Sequence, residues 1–468
     1  MKIVDDSGGN GDGATVATDP GARRVEPKGL AFVLRALRSR NYRLFFAGQL
    51  VSMIGNWLTS VATSWLVYRL SGSAILLGLV GFAGQFPAFL LGPFVGVLVD
   101  RWRLRRTLVT TQILAMLESF ALAAVAFAFS RHLLDTNTAI HLLLVLNLCQ
   151  GLINSVDIPA RQAFVVEMVD RREDLSNAIA LNSSLVNAAR LLGPSIGGVL
   201  IAAFGEAWCY LIDGFSYIGV IIALLMMVVK PRSDRRRHDP VLQSLREGFR
   251  YSFGFAPIRA VLMLLALVSL AGVPYMVLMP IFAREILHGG PKTLGLLMGA
   301  AGVGALSGAI YLASRRTVLG LGAIIGVAAM SFGCGLIVFS FSRSTALSLA
   351  LMPLTGASMI IQMAGSNTIL QTLVDDDMRG RVMAFFTMCF MGMVPIGSLL
   401  SGSLATHIGA PHTVMCGGIV CIVGGIVFLR ARPHLRKLVE PIYIKRGILP
   451  EVAVGIRDAD VATQNVAG

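Results

Sequence analysis

Charged residues are scarce in this chain. Only 14% of its 468 residues are Asp, Glu, Lys or Arg, whereas 55% are hydrophobic; a typical soluble domain has about 25% charged residues. The hydrophobic residues stand in blocks of about 20, long enough to cross the hydrocarbon core of a bilayer. The composition therefore excludes an ordinary soluble protein and predicts membrane-spanning helices, which satisfy their own backbone hydrogen bonds in lipid.

Motifs for nucleotide hydrolysis or metal-dependent catalysis are also missing. The sequence contains no G-x-x-x-x-G-K-[ST] loop to bind ATP and no H-E-x-x-H pair. The seven histidines are scattered over loops and both predicted faces, at His132, His141, His238, His288, His407, His412 and His434. An enzyme that is embedded in the membrane and acts on lipids would need catalytic residues clustered at one face. We therefore keep such an enzyme only as an alternative function.

Cysteine is also rare. The six cysteines lie inside or beside apolar segments, and no two are spaced as C-x-x-C. Free cysteines in such positions behave as small buried hydrophobic residues. We predict neither a disulfide framework nor a metal site, and no bound cofactor.

Short basic connections alternate with connections that hold few cations. The basic ones include "DRWRLRR" from Asp100, "KPRSDRRRHD" from Lys230 and "RARPHLRK" from Arg430. Because Lys and Arg collect on the cytoplasmic side of membrane proteins, we expect both termini inside and an even number of spans. This pattern also explains the net charge of +14 without a nucleic-acid partner. We predict twelve spans, at about 44–68, 74–99, 107–130, 139–161, 177–203, 207–229, 258–283, 293–313, 318–341, 345–369, 381–406 and 411–430.

The longest connection divides the spans into two sets of six. "GGVLIAAFG" at 197–205 corresponds weakly to "SGSLATHIG" at 401–409, which suggests related halves, as in many transporters. The predicted fold is an all-α membrane protein with twelve transmembrane helices in two pseudo-symmetric six-helix bundles. The predicted domains are a disordered tail and lead-in (1–40), a first bundle (41–229), a basic linker with an amphipathic helix (230–257), a second bundle (258–432) and a cytoplasmic tail (433–468).

The stretch "GPFVGVLVDRWRLRRT" at 92–107 places one carboxylate, Asp100, between an apolar span and a cation cluster. A carboxylate at a membrane edge needs a cation or a helix N-terminus as its partner. The stretch resembles the loop between spans two and three in the major facilitator superfamily. That resemblance implies a gate in which this loop meets the start of span eleven. The gating residues would be Gly96, Asp100, Arg101, Arg105, Arg106, Gly380 and Arg381.

A Gly-Pro cluster interrupts the fifth predicted span. "ARLLGPSIGG" at 189–198 is similar to the GP-x-x-GG element of facilitator-type antiporters and exporters, which implies export. Proline removes a backbone donor and bends a helix, and the glycines allow a neighbouring helix to pack closely. The predicted bend residues are Gly193, Pro194, Gly197 and Gly198.

Longer stretches resemble one branch of the superfamily, the enterobactin-exporter and macrolide-efflux-like proteins. They are "NYRLFFAGQLVSMIGNWLTSVATSWLVYRLSGSA" from Asn41 and the segment from Asp157 to Gly198. The resemblance implies a secondary active transporter in the inner (plasma) membrane that exports a small hydrophobic or amphipathic compound, such as a drug or siderophore. The proton gradient would supply the energy, and the chain would be a monomer. Import of a lipid or solute remains an alternative.

Polar residues within the spans are candidates for the substrate or proton pathway, because burying them in a bilayer is costly. Asp157 and Arg161 are one helical turn apart and are predicted to pair. Asn56 stands where the branch often has an acidic residue; if that acid carries protons in the branch, this chain would use another group or none. Each uncharged candidate could instead hold helices together. The candidates are Asn56, Gln85, Glu118, Asp157, Arg161, Arg190, Gln362 and Asn367.

Overall fold

The computed structural model describes residues 35–99, 102–169, 172–228, 241–315 and 317–449. Several predicted segments lie outside these ranges: the tail up to residue 34, the part of the basic linker at 229–240, the residues after 449, and Asp100 and Arg101. The first six long helices are α1 (Arg40–Ser71), α2 (Ala74–Val99), α3 (Leu104–Ser130), α4 (Thr136–Met168), α5 (Leu175–Phe204) and α6 (Glu206–Met226).

The second half of the chain begins with a shorter helix and contains two π-helical turns, at Phe282–Ile286 and Met388–Gly392. Its helices are α7 (Val241–Gly254), α8 (Ala256–Ala271), α9 (Tyr275–Ile281), α10 (Pro291–Ser314), α11 (Leu321–Phe341), α12 (Thr345–Leu373), α13 (Asp376–Thr387) and α14 (Met393–Lys445). No β-strand occurs within the described ranges.

The described part of the chain crosses a membrane twelve times. Eleven helical segments are long and apolar enough to span a bilayer, and the last of them, Asp376–Lys445, has 70 residues. A helix of that length would measure about 105 Å, several times the bilayer thickness. It is interrupted at Gly409, whose φ of 81° and ψ of 156° are not helical. The segment therefore makes two crossings, and the predicted number is confirmed.

These crossings form two six-helix bundles, as predicted. In the first bundle α1 packs on α5 and α6, α2 on α4, and α3 on α4 and α6. In the second, α10 packs on α12, α11 on α12 and α14, and α8 on α14. The bundles meet mainly along two helix pairs, α5 with α10 and α2 with α14, and α9 adds contacts to α1 and α2. The exact domain limits stay a prediction, since α14 continues as a helix past residue 432 to Lys445.

The predicted amphipathic helix of the linker is present as α7. One face packs on α13 at the start of span eleven, where Phe249 and Phe253 surround Phe385. The Tyr251 hydroxyl donates to Asp375 Oδ2 at 3.1 Å. Partial burial raises the pKa of Tyr251, which keeps this hydroxyl protonated as a donor. The helix therefore binds the second bundle in addition to any contact with the membrane surface.

The bundles are packed tightly at the end where α1 finishes and α10 begins, which we call the outer end. A Cβ atom on Gly198 would lie 2.8 Å from Gly295 Cα, and one on Gly402 would lie 2.8 Å from Gly78 Cα. The Tyr68 hydroxyl also donates to the Glu285 carboxylate across the bundles. Backbone contact at both helix pairs closes the outer half of the interface.

Candidate functional site

A cavity of about 460 Å³ lies between the bundles in their inner half, toward the end where the described chain begins and finishes. This volume falls within the range of small-molecule sites, about 300–1,000 Å³. Helices α2 and α4 form one wall, and α13 with its π turn forms the other. Its lining combines amides with apolar side chains, and includes Gln85, Phe89, Asn154, Gln162, Thr387 and Met391.

A second cavity surrounds Arg190 at mid-depth and measures about 10 Å³, roughly the space of one water molecule. The guanidinium lies over the Trp57 ring, 6.0 Å from its centroid. The second bundle covers it with Met276, Met298 and Met359. This predicted site residue therefore lies at the interface of the two bundles.

Asp157 is the centre of a buried polar network in the first bundle. Thr111 and Gln112 donate to Asp157 Oδ1 at 2.7 and 2.8 Å, and Arg161 pairs with Oδ2. Arg161 also donates to Gln49 at 3.3 Å. The predicted Asp157–Arg161 pair is present. Asp157 is only 2% exposed and does not line the large cavity, so the network joins α1, α3 and α4 inside the first bundle.

Glu118 and Asp213 place two buried carboxyl groups near each other in the first bundle. Asp213 Oδ2 accepts hydrogen bonds from Thr59 and Ser119, both at 2.8 Å. Glu118 interacts electrostatically with Asp213 and makes no hydrogen bond to any residue within the described ranges. Two carboxylates in an apolar bundle repel each other, and a proton on one of them removes that repulsion.

The remaining pathway candidates do not come together. Asn56 Oδ1 accepts from the Tyr217 hydroxyl at 3.1 Å, Gln362 donates to Ser366 at 3.5 Å, and Asn367 accepts from Gln371 at 2.5 Å. These contacts join neighbouring residues or adjacent helices. Only Gln85 among the uncharged candidates lines the large cavity.

The predicted gating residues are only partly described. Arg105 donates to the carbonyls of Leu224 and Leu225 at 2.7 and 2.5 Å, so it caps the end of α6. Arg381 forms an ion pair with Glu247 of the linker helix at 2.6 Å. Gly96 belongs to α2, Gly380 has open space around it, and Arg106 is exposed. Asp100 and Arg101 lie outside the described residues.

The Gly-Pro cluster of α5 contacts both bundles. A Cβ atom on Gly193 would lie 3.0 Å from Trp57 Cγ, and one on Gly197 would lie 3.3 Å from Leu58 Cδ2. Gly198 faces α10, and the Pro194 carbonyl oxygen would lie 2.5 Å from a Cβ atom on Gly295. The small residues therefore allow close approach of α1 on one face and of α10 on the other.

Sequence reasoning missed several residues at these sites. Trp57 and Gly295 form contacts between segments that are distant in the chain, and no spacing in the sequence links them. Tyr68 and Glu285 close the outer end, although each looks like an ordinary residue at the end of a span. The one sequence feature that could have indicated this contact is Glu285, an acidic residue just after predicted span seven.

Comparison with known proteins identifies relatives over nearly the whole chain. The family model described as "Transmembrane secretion effector" matches residues 32–448. The staphyloferrin A transporter of Staphylococcus aureus is 23% identical, over 84% of this chain and 97% of the relative. The multidrug efflux pump Tap of Mycolicibacterium fortuitum is 25% identical, over 84% and 96%. The enterobactin exporter EntS of Citrobacter koseri is 25% identical, over 86% and 94%.

Solved structures resemble the fold at low sequence identity. A bacterial homologue of the iron transporter ferroportin, in an inward-facing state, superposes with a TM-score of 0.65. It is 17% identical, and the match covers 84% of this chain and 98% of that one. At this identity the similarity concerns the fold alone.

Proposed function

Because the chain belongs to the transmembrane secretion effector family of the major facilitator superfamily, we propose that it exports small amphipathic compounds by proton-coupled alternating access. Family membership makes it a multi-pass membrane transporter and decides against the lipid-modifying enzyme. The names of the three relatives, two of which state efflux or export, favour export over import.

The proposed mechanism rests on one observation, that the interface between the two bundles is closed at one end and open at the other. Backbone contacts close its outer half at Gly198 and Gly295, whereas the 460 Å³ cavity occupies its inner half. Such an arrangement corresponds to the state in which a transporter accepts a substrate from the inner side. Rocking of one bundle against the other would open the outer half and close the cavity.

We place the coupling proton on Glu118 and Asp213. Helix α1 supports a link to the interface, because Thr59 of α1 donates to Asp213 and Trp57 of the same helix contacts Arg190. Loss or gain of a proton at the carboxyl pair would change the Thr59 hydrogen bond. The position of α1, and with it Trp57, would follow.

Asp100 remains the proposed gate residue on sequence grounds. The loop that contains Asp100 follows α2. The span proposed to face it begins with α13, where Arg381 forms an ion pair with Glu247. If Asp100 stabilises the closed inner end, Asp100→Asn will increase the fraction of molecules that are open on the inner side. Spin-label distances across the inner cavity measure that fraction, and an unchanged distribution would remove Asp100 from the gate.

Orientation and assembly follow from the same proposal. The basic connections predict cytoplasmic termini in the inner (plasma) membrane, so the inner cavity would open to the cytoplasm. We propose that a monomer suffices, because one chain contains both bundles and both cavities.

Everted membrane vesicles test the function. Vesicles that contain the protein should accumulate an amphipathic dye such as ethidium or carboxyfluorescein more than vesicles from cells that lack it. A protonophore should abolish the difference, because it collapses the gradient that drives protons out of the vesicle lumen in exchange for the dye. Accumulation that survives the protonophore would contradict proton coupling, and equal accumulation in both kinds of vesicle would contradict export of these dyes.

A further inference from the structure

We infer that the exported compound is an amphipathic anion whose acidic group binds Arg190 between the two bundles. The inference rests on the proposed export function and specifies the substrate class. Arg190 lies at mid-depth on α5, and its neighbours come from α1 of the first bundle and from α9, α10 and α12 of the second. The site is therefore formed by both moving parts of the transporter.

Arg190 has no anionic partner among the described residues. Its Nε atom is buried without a hydrogen bond, and no described residue forms an ion pair or side-chain hydrogen bond with it. The face of the Trp57 ring, at 6.0 Å from the guanidinium, gives only partial compensation. A guanidinium at the depth of a bilayer centre is costly unless an anion pairs with it.

A second unpartnered group lies nearby. The Tyr275 hydroxyl is buried beside the Thr355 hydroxyl, without a hydrogen bond of good geometry among the described residues, and it is within electrostatic range of Arg190. The adjacent Thr355 hydroxyl donates instead to the Met352 carbonyl at 2.8 Å. A phenol can donate to the same carboxylate that a guanidinium binds. The two groups together supply donors for one acidic group.

The walls of the cavity determine the rest of the ligand. Trp57, Met276, Met298 and Met359 surround the guanidinium with flexible or aromatic apolar surface. Methionine side chains adapt to ligands of different shape, and tryptophan presents a large flat face. These residues suit an apolar body attached to the acidic group, and they do not suit a small inorganic anion.

The size of the cavity explains why binding requires movement. At about 10 Å³ it has no room for an organic molecule in the present state. Gly302 of α10 lies against the Arg190 backbone, since a Cβ atom there would be 3.0 Å from the Arg190 carbonyl oxygen. Separation of α5 from α10 during rocking would therefore expose the guanidinium. An anion bound there would replace the missing partner of Arg190.

Fluorescence anisotropy of dyes bound to the full chain in lipid nanodiscs tests this inference. Carboxyfluorescein serves as the anionic dye and ethidium as the cationic dye. Arg190→Gln should weaken carboxyfluorescein binding at least about tenfold, because it removes a charge-assisted hydrogen bond. Arg190→Lys should weaken carboxyfluorescein binding less than Arg190→Gln, because it keeps the charge although it loses the planar guanidinium that lies over Trp57. Ethidium binding should not weaken in Arg190→Gln.

Arg343→Gln is the matched control, because it removes one exposed arginine from the connection between α11 and α12. It should leave both dyes unaffected, and thermal unfolding should confirm that each variant is folded. Equal carboxyfluorescein affinity in the wild type and a folded Arg190→Gln would overturn the anion site. So would a wild type that binds ethidium but not carboxyfluorescein. Both results leave export intact, which the vesicle experiment tests separately.

Discussion

A valine in place of Gly198 is expected to reduce transport about tenfold or more, because it prevents closure of the outer half of the interface. A Cβ atom at this position would lie 2.5 Å from the Pro291 carbonyl oxygen and 2.8 Å from Gly295 Cα. Both are backbone atoms and cannot rotate away. Helices α5 and α10 would have to separate, and overpacking of this kind costs about 1–3 kcal/mol.

The effect should be conformational and not a failure to fold. Gly198→Val would favour the state that is open at the outer end, so uptake into everted vesicles would fall while the purified protein unfolds cooperatively. Gly219→Val is the control, because Gly219 lies on α6 with no atom within 4 Å of an added Cβ. It should transport normally. Gly198→Val with at least half of the wild-type rate would contradict the importance of this helix contact.

Glu118→Gln is expected to reduce uptake driven by a proton gradient about tenfold or more, because it removes a group that binds and releases the coupling proton. Glutamine is nearly isosteric and stays neutral, so the packing of α3 should persist. Exchange of labelled for unlabelled substrate across the membrane needs no net proton transfer, and it should continue. Asp213→Asn should show the same separation of the two activities, with an additional change in its bonds to Thr59 and Ser119.

The control for this prediction is another carboxylate that lies outside the bundle interior. Asp135 caps the N-terminus of α4, where its Oδ2 accepts from the Thr138 amide at 3.0 Å. Asparagine also caps helices well, so Asp135→Asn should leave coupling unchanged. If Glu118→Gln and Asp213→Asn both retain full gradient-driven uptake, the coupling proton is carried by another group.

The sequence predicted the fold in detail because membrane insertion depends on local properties. Blocks of apolar residues determine where a helix can cross, and the basic connections determine which ends lie together. The predicted connection between spans eleven and twelve, at about 407–410, contains the non-helical residue Gly409. Local spacing also sufficed for Asp157 and Arg161, since residues four apart on a helix are neighbours.

The arrangement of the candidate site was much less predictable. Arg190, Glu118 and Asp157 are all predicted as intramembrane charges, yet they occupy three separate environments: the bundle interface, a carboxyl pair and a buried hydrogen-bond network. Their partners Trp57, Asp213 and Thr111 lie on other helices. The packing of all twelve crossings decides which face of each helix contacts which neighbour. Local patterns in the sequence do not reveal this packing.

Distances between spin labels during turnover test the central claim, that the two bundles rock about a shared site. One pair, at Gln162 of α4 and Thr387 of α13, spans the inner cavity. A second pair, at Arg131 and Arg343, joins exposed connections at the outer end of the two bundles. A change of proton gradient or substrate should shorten the inner distance and lengthen the outer one together. Two distances that change in the same direction, or do not change while transport proceeds, would contradict the account.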